Sequence, residues 1–196
     1  MPLWGTSDSD ESKPKNLTTA EKKEVYATNS GWVREAGSIL SGNGITDADP
    51  EVLVAVSGLA DSIGAADVTE VEWITTTADK SEGFTLSVRV RYNEEVTVTG
   101  SPTIAVTNGN QGSGSGRGPH TLVYASGTGT NELIFNLAIA ANNNATNAND
   151  VLSIGAQNIL KPGGATLKDT ADGTTDAAVA ISGAQGTAAG TLTVTA

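Results

Sequence analysis

The stretch Phe84-Thr85-Leu86-Ser87-Val88-Arg89-Val90-Arg91-Tyr92 alternates apolar and polar side chains without an error. Side chains on a strand alternate with period 2, so Phe84, Leu86, Val88, Val90 and Tyr92 share one face while Thr85, Ser87, Arg89 and Arg91 share the other. Such a pattern predicts a half-buried strand with both arginines on its exposed polar face. Glu132 to Ile139 repeats the device, with Leu133, Phe135, Leu137 and Ile139 together. Val68 to Ile74, Val96 to Thr99, Thr103 to Thr107, Thr121 to Ala125 and Thr191 to Thr195 are further strand candidates; 151–154, 158–160 and 177–181 are short or weak ones. Turn signals lie between them: Asn93-Glu94-Glu95, Gly100-Ser101-Pro102, the glycine-serine loop 108–119, the Asn/Ala loop 142–149, Pro162-Gly163-Gly164 and the polar loop 168–176. About seven or eight short strands, spaced about 8–12 residues apart, predict an all-β antiparallel sandwich.

Composition narrows the function classes. The chain has 196 residues, 22 acidic and 11 basic side chains, a net charge of -11, one methionine and no cysteine. Without cysteine there is no disulfide framework, thiolate zinc site or cysteine nucleophile. A single histidine excludes a histidine-rich metal cluster. A pI near 4.3 argues against a nucleic-acid partner, which needs a basic face to displace phosphate counterions. No apolar run approaches the roughly 18 residues of a membrane span. Hydrophobic residues make up 38% and aromatics 4%. With Gly at 23 and Ala and Thr at 26 each, the chain is globular but its core is built from small units. The acidic balance suits a soluble, self-repelling surface or a salty medium. The opening residues show no basic n-region and no apolar h-region, so synthesis in the cytoplasm without Sec export is expected.

Three segments are expected: an N-terminal arm over 1–45, a connecting segment over 46–66, and the sandwich over 67–196. The run from Thr6 to Lys15 is almost wholly polar. Thr18 and Glu21 have capping-box spacing, which predicts a short helix over Ala20 to Ala27. Val52 to Val56 reads as a buried strand; a helix from Pro50 to Ile63 competes, with Asp49 as cap, but Ser57-Gly58 would interrupt it. Leu3, Trp4, Tyr26 and Trp32 are large apolar groups isolated in a polar arm. Aromatic side chains bury roughly 150–250 Å² each and dominate interfaces, so these residues are candidate docking anchors. The competing reading folds them back over an edge of the sandwich.

Two resemblances add to this reading. Residues 84–106, FTLSVRVRYNEEVTVTGSPTIAV, then YASGTGTNELIFNLAIA and ILKPGGATLKDTADG, resemble a bacterial Ig-like repeat of large surface and adhesin-like proteins. Tyr92, Glu94, Val96, Val98, Gly100 and Pro102 match its first block. Tyr124, Ser126, Gly127, Gly129, Thr130, Leu133 and Phe135 match the second. Lys168, Asp169 and Gly173 match the third, with one residue inserted. The opening MPLWG, the Lys-Pro-Lys and Gly31-Trp32 are similar to the start of small virion structural proteins of tailed phages of marine cyanobacteria. Together the resemblances imply an Ig-like antiparallel sandwich with an extended N-terminal arm, located on the virion. They imply a non-enzymatic head decoration docked on other virion proteins, the major capsid protein foremost, with symmetric self-assembly plausible for such a part. The alternative is a tail-associated adhesin that binds a host cell-surface glycan or receptor through loops. No cofactor, nucleic acid or membrane is expected.

Other candidate sites are weaker. Asn110, Gln111, Arg117 and His120, in and beside the glycine-rich loop, are candidates for a host contact, as is the loop 142–149. Residues 112–118 lack the Lys-Ser/Thr ending of a phosphate-binding loop. His120 reads as a surface-loop residue rather than a base, and no nucleophilic triad is legible. Asp169, Asp172 and Asp176 are a weak calcium candidate, since carboxylates beside glycine can hold Ca²⁺, but they lack EF-hand spacing. Glu94 and Glu95 read as a solvated hairpin turn, with a bound cation as the alternative. No metal is expected.

Overall fold

The structure is a computed structural model that describes residues 13–14, 16–38, 44–110 and 117–196. Leu3, Trp4 and Gln111 lie outside the described residues. In chain order the elements are α1 (Thr19–Lys23), β1 (Val25–Thr28), β2 (Gly31–Arg34), β3 (Glu51–Ala55), α2 (Leu59–Ile63), β4 (Val68–Trp73), β5 (Ala78–Asp79), β6 (Phe84–Thr99) and β7 (Thr103–Asn108). They continue with β8 (His120–Ser126), β9 (Thr130–Ile139), β10 (Val151–Ser153), β11 (Gln157–Asn158), β12 (Thr166–Asp169), β13 (Ala180–Ile181), α3 (Gly183–Ala189) and β14 (Thr191–Thr195).

The chain is all-β and sandwich-like. Its large sheet runs β3-β2-β1-β6-β9-β8-β7-β10-β14-β5, with β4 and β12 also pairing β6. Pairings are antiparallel except β1 with β6 and β5 with β14. The sheet curls, so that Leu86, Val88 and Phe135 share one continuous core with Leu152, Leu167 and Val194. Tyr124 meets Phe135 edge-on, ring centres 6.1 Å apart. Gly127 shows why this turn requires glycine: its φ is +111° and an added Cβ would lie 1.8 Å from the Glu132 carbonyl oxygen.

The strand β6 is the organising element and is longer than the sequence pattern predicts. Asn93-Glu94-Glu95 does not turn the chain. The strand continues through it as a bulge, with pairing to β9 shifting from Arg91↔Glu132 to Val96↔Thr130. On its other edge β6 pairs first with β4 (Tyr92↔Val68 through Val88↔Trp73) and then with β12 (Val96↔Asp169 through Thr99↔Thr166). At the junction β1 joins in parallel through Ala27↔Glu94. Three different partners satisfy this stretch, which local turn chemistry does not reveal.

The N-terminal segment is a layer rather than an extended arm from residue 19 onward. The capping box forms, with Thr18 accepting from the Glu21 N–H and Glu21 accepting from the Thr18 N–H at 2.8 Å. Its helix stops at Lys23, and Val25 to Thr28, rich in β-formers, extend as a strand instead. The strand read over Val52 to Val56 forms over Glu51–Ala55, but at the terminal position of the sheet, so Val52 remains 51% exposed rather than buried. The helix competing for this stretch is confined to α2, beyond Gly58. The second capping box, Ser182 with Gln185, starts α3 and was hidden by a glycine-rich sequence; Gln185 donates to the Val68 carbonyl at 2.7 Å.

Candidate functional site

The β1–β2 hairpin is set by registers Val25↔Arg34, Tyr26↔Val33, Ala27↔Trp32 and Thr28↔Gly31. Alternation brings Val25, Ala27 and Trp32 to one face, where they pack with Leu59 in a small second core. Trp32 is fully buried and Tyr26 nearly so, and burial pushes the Tyr26 phenol well above its usual range. This corrects the anchor reading for both residues: Trp32 packs in the chain's own second core, and Tyr26, on the opposite face of the hairpin, is 5% exposed at the edge of an opening shared with Glu35, Thr46 and Glu132. Gly31 permits the fit, because its φ is +127° and an added Cβ would lie 2.0 Å from the Val54 carbonyl oxygen.

Beneath this hairpin the polar face of β6 is covered, and Arg91 is buried, which corrects its reading as an exposed strand residue. Its Nη1 contacts Glu35 at 2.5 Å, its Nε contacts Glu72 at 3.1 Å and its Nη2 contacts Glu132 at 2.7 Å. Nη1 also donates to the Lys23 carbonyl at 3.2 Å. Arg89 is only half-buried and bridges Glu72 and Glu132. One guanidinium thus ties α1 and the end of the hairpin to β4 and β9. Burial and the neighbouring Glu35 raise the Glu132 carboxyl to about 7, against the pull of Arg91 and Arg89. Glu72 goes the other way: burial pushes it up, but Arg91, Lys23 and Arg89 together hold it below its ordinary value. Burial lowers the Lys13 ammonium to about 8, with Glu35 opposing.

A second meeting place of the layer and the sandwich is a cleft lined by Ala27, Thr28, Asn29, Ala60, Glu94, Glu95 and the turn 169–171. Glu94, read from the sequence as part of a solvated turn, is 1% exposed, and neither of its carboxylate oxygens has a hydrogen-bond partner among the described residues. Burial, then Asp169, Asp67, Asp172 and Asp61, raise it to about 8. Asp169 is also buried and is raised by burial, although it accepts from the Ala171 N–H at 2.8 Å. An adjoining opening is lined by Ala60, Asp61, Asp169 and Asp172.

The calcium triple read from the sequence does not converge. Asp172 accepts from the N–H groups of Thr174 and Thr175 at 2.8 Å each and from the Thr175 hydroxyl; these bonds hold it down at about 2. Asp176 pairs with Lys168 at 3.0 Å. Among the described residues, no group of three or more acidic, histidine or cysteine side chains gathers around one point. The burial of Glu94 escaped sequence reasoning because it depends on β1 and β12, which lie far away in sequence.

Of the loop candidates, His120 turns inward, whereas Asn110 stays exposed and Arg117 is half-buried. His120 is buried, its imidazole lowered by desolvation with Asp150 opposing, and its Nε2 has no hydrogen-bond partner among the described residues. This corrects its placement in a surface loop. The Asn110 and Asn108 amides donate to Asp150 at 2.6 and 2.8 Å, and Asp150 also accepts from the Asn147 N–H at 2.9 Å. The base of the glycine-rich loop is therefore braced against loop 142–149. Arg117 is half-buried there.

No helix among the described residues is long and apolar enough to cross a membrane. No family model matches the sequence, and no curated protein or solved structure matches it.

Proposed function

We propose that the chain is a non-enzymatic virion structural protein of a tailed phage, a head decoration that docks on the capsid through its first residues and carries an outward-facing Ig-like sandwich. Residue-level resemblance supports it, at the opening block and across residues 84–173. The observation that carries the mechanical part is the Arg91 network, which joins the N-terminal layer to the sandwich through Glu35, Glu72 and Glu132. Whatever attaches ahead of that layer is thereby coupled to the sandwich.

Since Tyr26 and Trp32 are internal, the docking groups left to this reading are Leu3 and Trp4. The test is to add purified protein to particles that lack it, comparing the full chain with one lacking residues 1–12. A cut at residue 40 would remove β1 and β2 and confound attachment with folding. The shortened chain is expected to keep its unfolding midpoint and lose particle binding. Retained binding would refute the anchor. Counting copies by mass spectrometry on separated heads and tails decides location. Many copies following the head fit decoration, a few following the tail fit the adhesin alternative, and absence from both refutes the virion reading.

A further inference from the structure

We propose that the cleft between the N-terminal layer and the sandwich binds a hard divalent cation of calcium size, with the Glu94 and Asp169 carboxylates as its charged ligands. This does not rest on the particle reading. The starting observation is Glu94: it is 1% exposed, both of its carboxylate oxygens lack a hydrogen-bond partner among the described residues, and it lines the cleft. Buried carboxylates are ordinarily paired with a cation, hydrogen-bonded or bound to a metal. No ion pair to Glu94 or Asp169 occurs among the described residues, and the neighbouring charges are the acidic Asp61, Asp67 and Asp172. Among the described residues no basic side chain lines the cleft, so the Glu94 and Asp169 carboxylates sit there without a cationic partner.

The donors present identify the ion. The lining holds no imidazole or thiolate and offers oxygen ligands: the Glu94 and Asp169 carboxylates, the Thr28 and Thr170 hydroxyls, and the Asn29 amide oxygen, which accepts from the Asp61 N–H at 3.2 Å. Oxygen donors suit Ca²⁺ and Mg²⁺ rather than zinc or copper. They come from three separate segments: the β1–β2 turn, the β6 bulge and the turn after β12. Ca²⁺ accepts irregular sets of six to eight oxygens, completed by carbonyls and water, whereas Mg²⁺ demands a regular octahedron. Two carboxylates then suffice, and the ion would clamp the hairpin turn to the sandwich.

The experiment uses the full chain, freed of metal by chelation. Thermal unfolding is followed while CaCl₂ is titrated against MgCl₂ and against NaCl of equal ionic strength, and calorimetry counts the ions bound. Calcium is expected to raise the midpoint by about 5 °C at about 10 mM, with magnesium about tenfold weaker and sodium without comparable effect. Glu94→Gln is expected to be no less stable than the parent without calcium, and to lose the response. Asp169→Asn should lose it as well, and Asp176→Asn, whose carboxylate faces Lys168, should keep it. A parent chain with no calcium-specific shift overturns the proposal, as does a Glu94→Gln variant that responds like the parent. Should Asp169→Asn fail to fold, Glu94→Gln decides.

Discussion

The sandwich and the N-terminal layer are held by different forces, although β6 belongs to both. On its apolar face, Leu86, Val88, Val90 and Tyr92 interlock with side chains from distant strands. On its polar face, one guanidinium is shared by three carboxylates, beside an apolar cluster whose buried members are Val25, Ala27, Trp32 and Leu59. Apolar packing is non-directional and insensitive to pH; a buried charge network depends on every member being present and correctly protonated. The layer is thus expected to open before the sandwich and to answer to pH in its own way.

The strongest challenge to this contrast is Arg91→Met. Removing the guanidinium leaves Glu35, Glu72 and Glu132 without their shared partner, and breaking a buried ion pair from one side costs roughly 3–5 kcal/mol. Urea unfolding is expected to show that loss, with the N-terminal amides exchanging first. Trp32→Ala and Phe135→Ala each remove a fully buried aromatic, at about 3–5 kcal/mol. Hydrogen exchange should separate them, Trp32→Ala releasing residues 25–34 selectively and Phe135→Ala lowering protection throughout. Equal patterns would refute the two-layer picture.

A smaller effect distinguishes the regions by pH. Glu132 titrates near 7 in the native chain, above its ordinary 4.5. The native state therefore holds this proton more tightly than the unfolded state, and its contribution to stability falls as pH rises from about 4.5 through 7. His120, in the sandwich, is lowered from 6.5 by burial. The unfolded state binds that proton more readily, so stability is lost as pH falls below about 6.5 toward the native value. Glu132→Gln should flatten the first slope and His120→Gln the second. Smallest of all, Ser182→Ala removes the cap of α3, expected to lower stability by about 1 kcal/mol by thermal unfolding.

Much of the sandwich was legible because period-2 alternation states which side chains share a face. Phe84 to Tyr92 and Leu133 to Ile139 pair in the structure as Phe84↔Ile139 through Val90↔Leu133. Glycine turns were legible for the same local reason. The triplet Asn93-Glu94-Glu95 misled because its composition is that of a turn while its environment is that of a sheet interior. Tyr26, Trp32 and His120 misled because an isolated aromatic or imidazole in a polar segment looks the same whether it faces a partner or its own core.

The sequence by itself determined the class of the fold, the apolar face of β6 and the capping box at Thr18, since each follows from spacing along a few residues. Only the tertiary structure decided that β6 continues past Tyr92, that Arg91 is buried among carboxylates, and that Glu94 sits unpaired beside Asp169. Those outcomes depend on which distant segments are brought together: β1, β4, β9 and β12 all converge on one strand. A charged side chain's state is set by the water and partners left around it, and no local pattern records those.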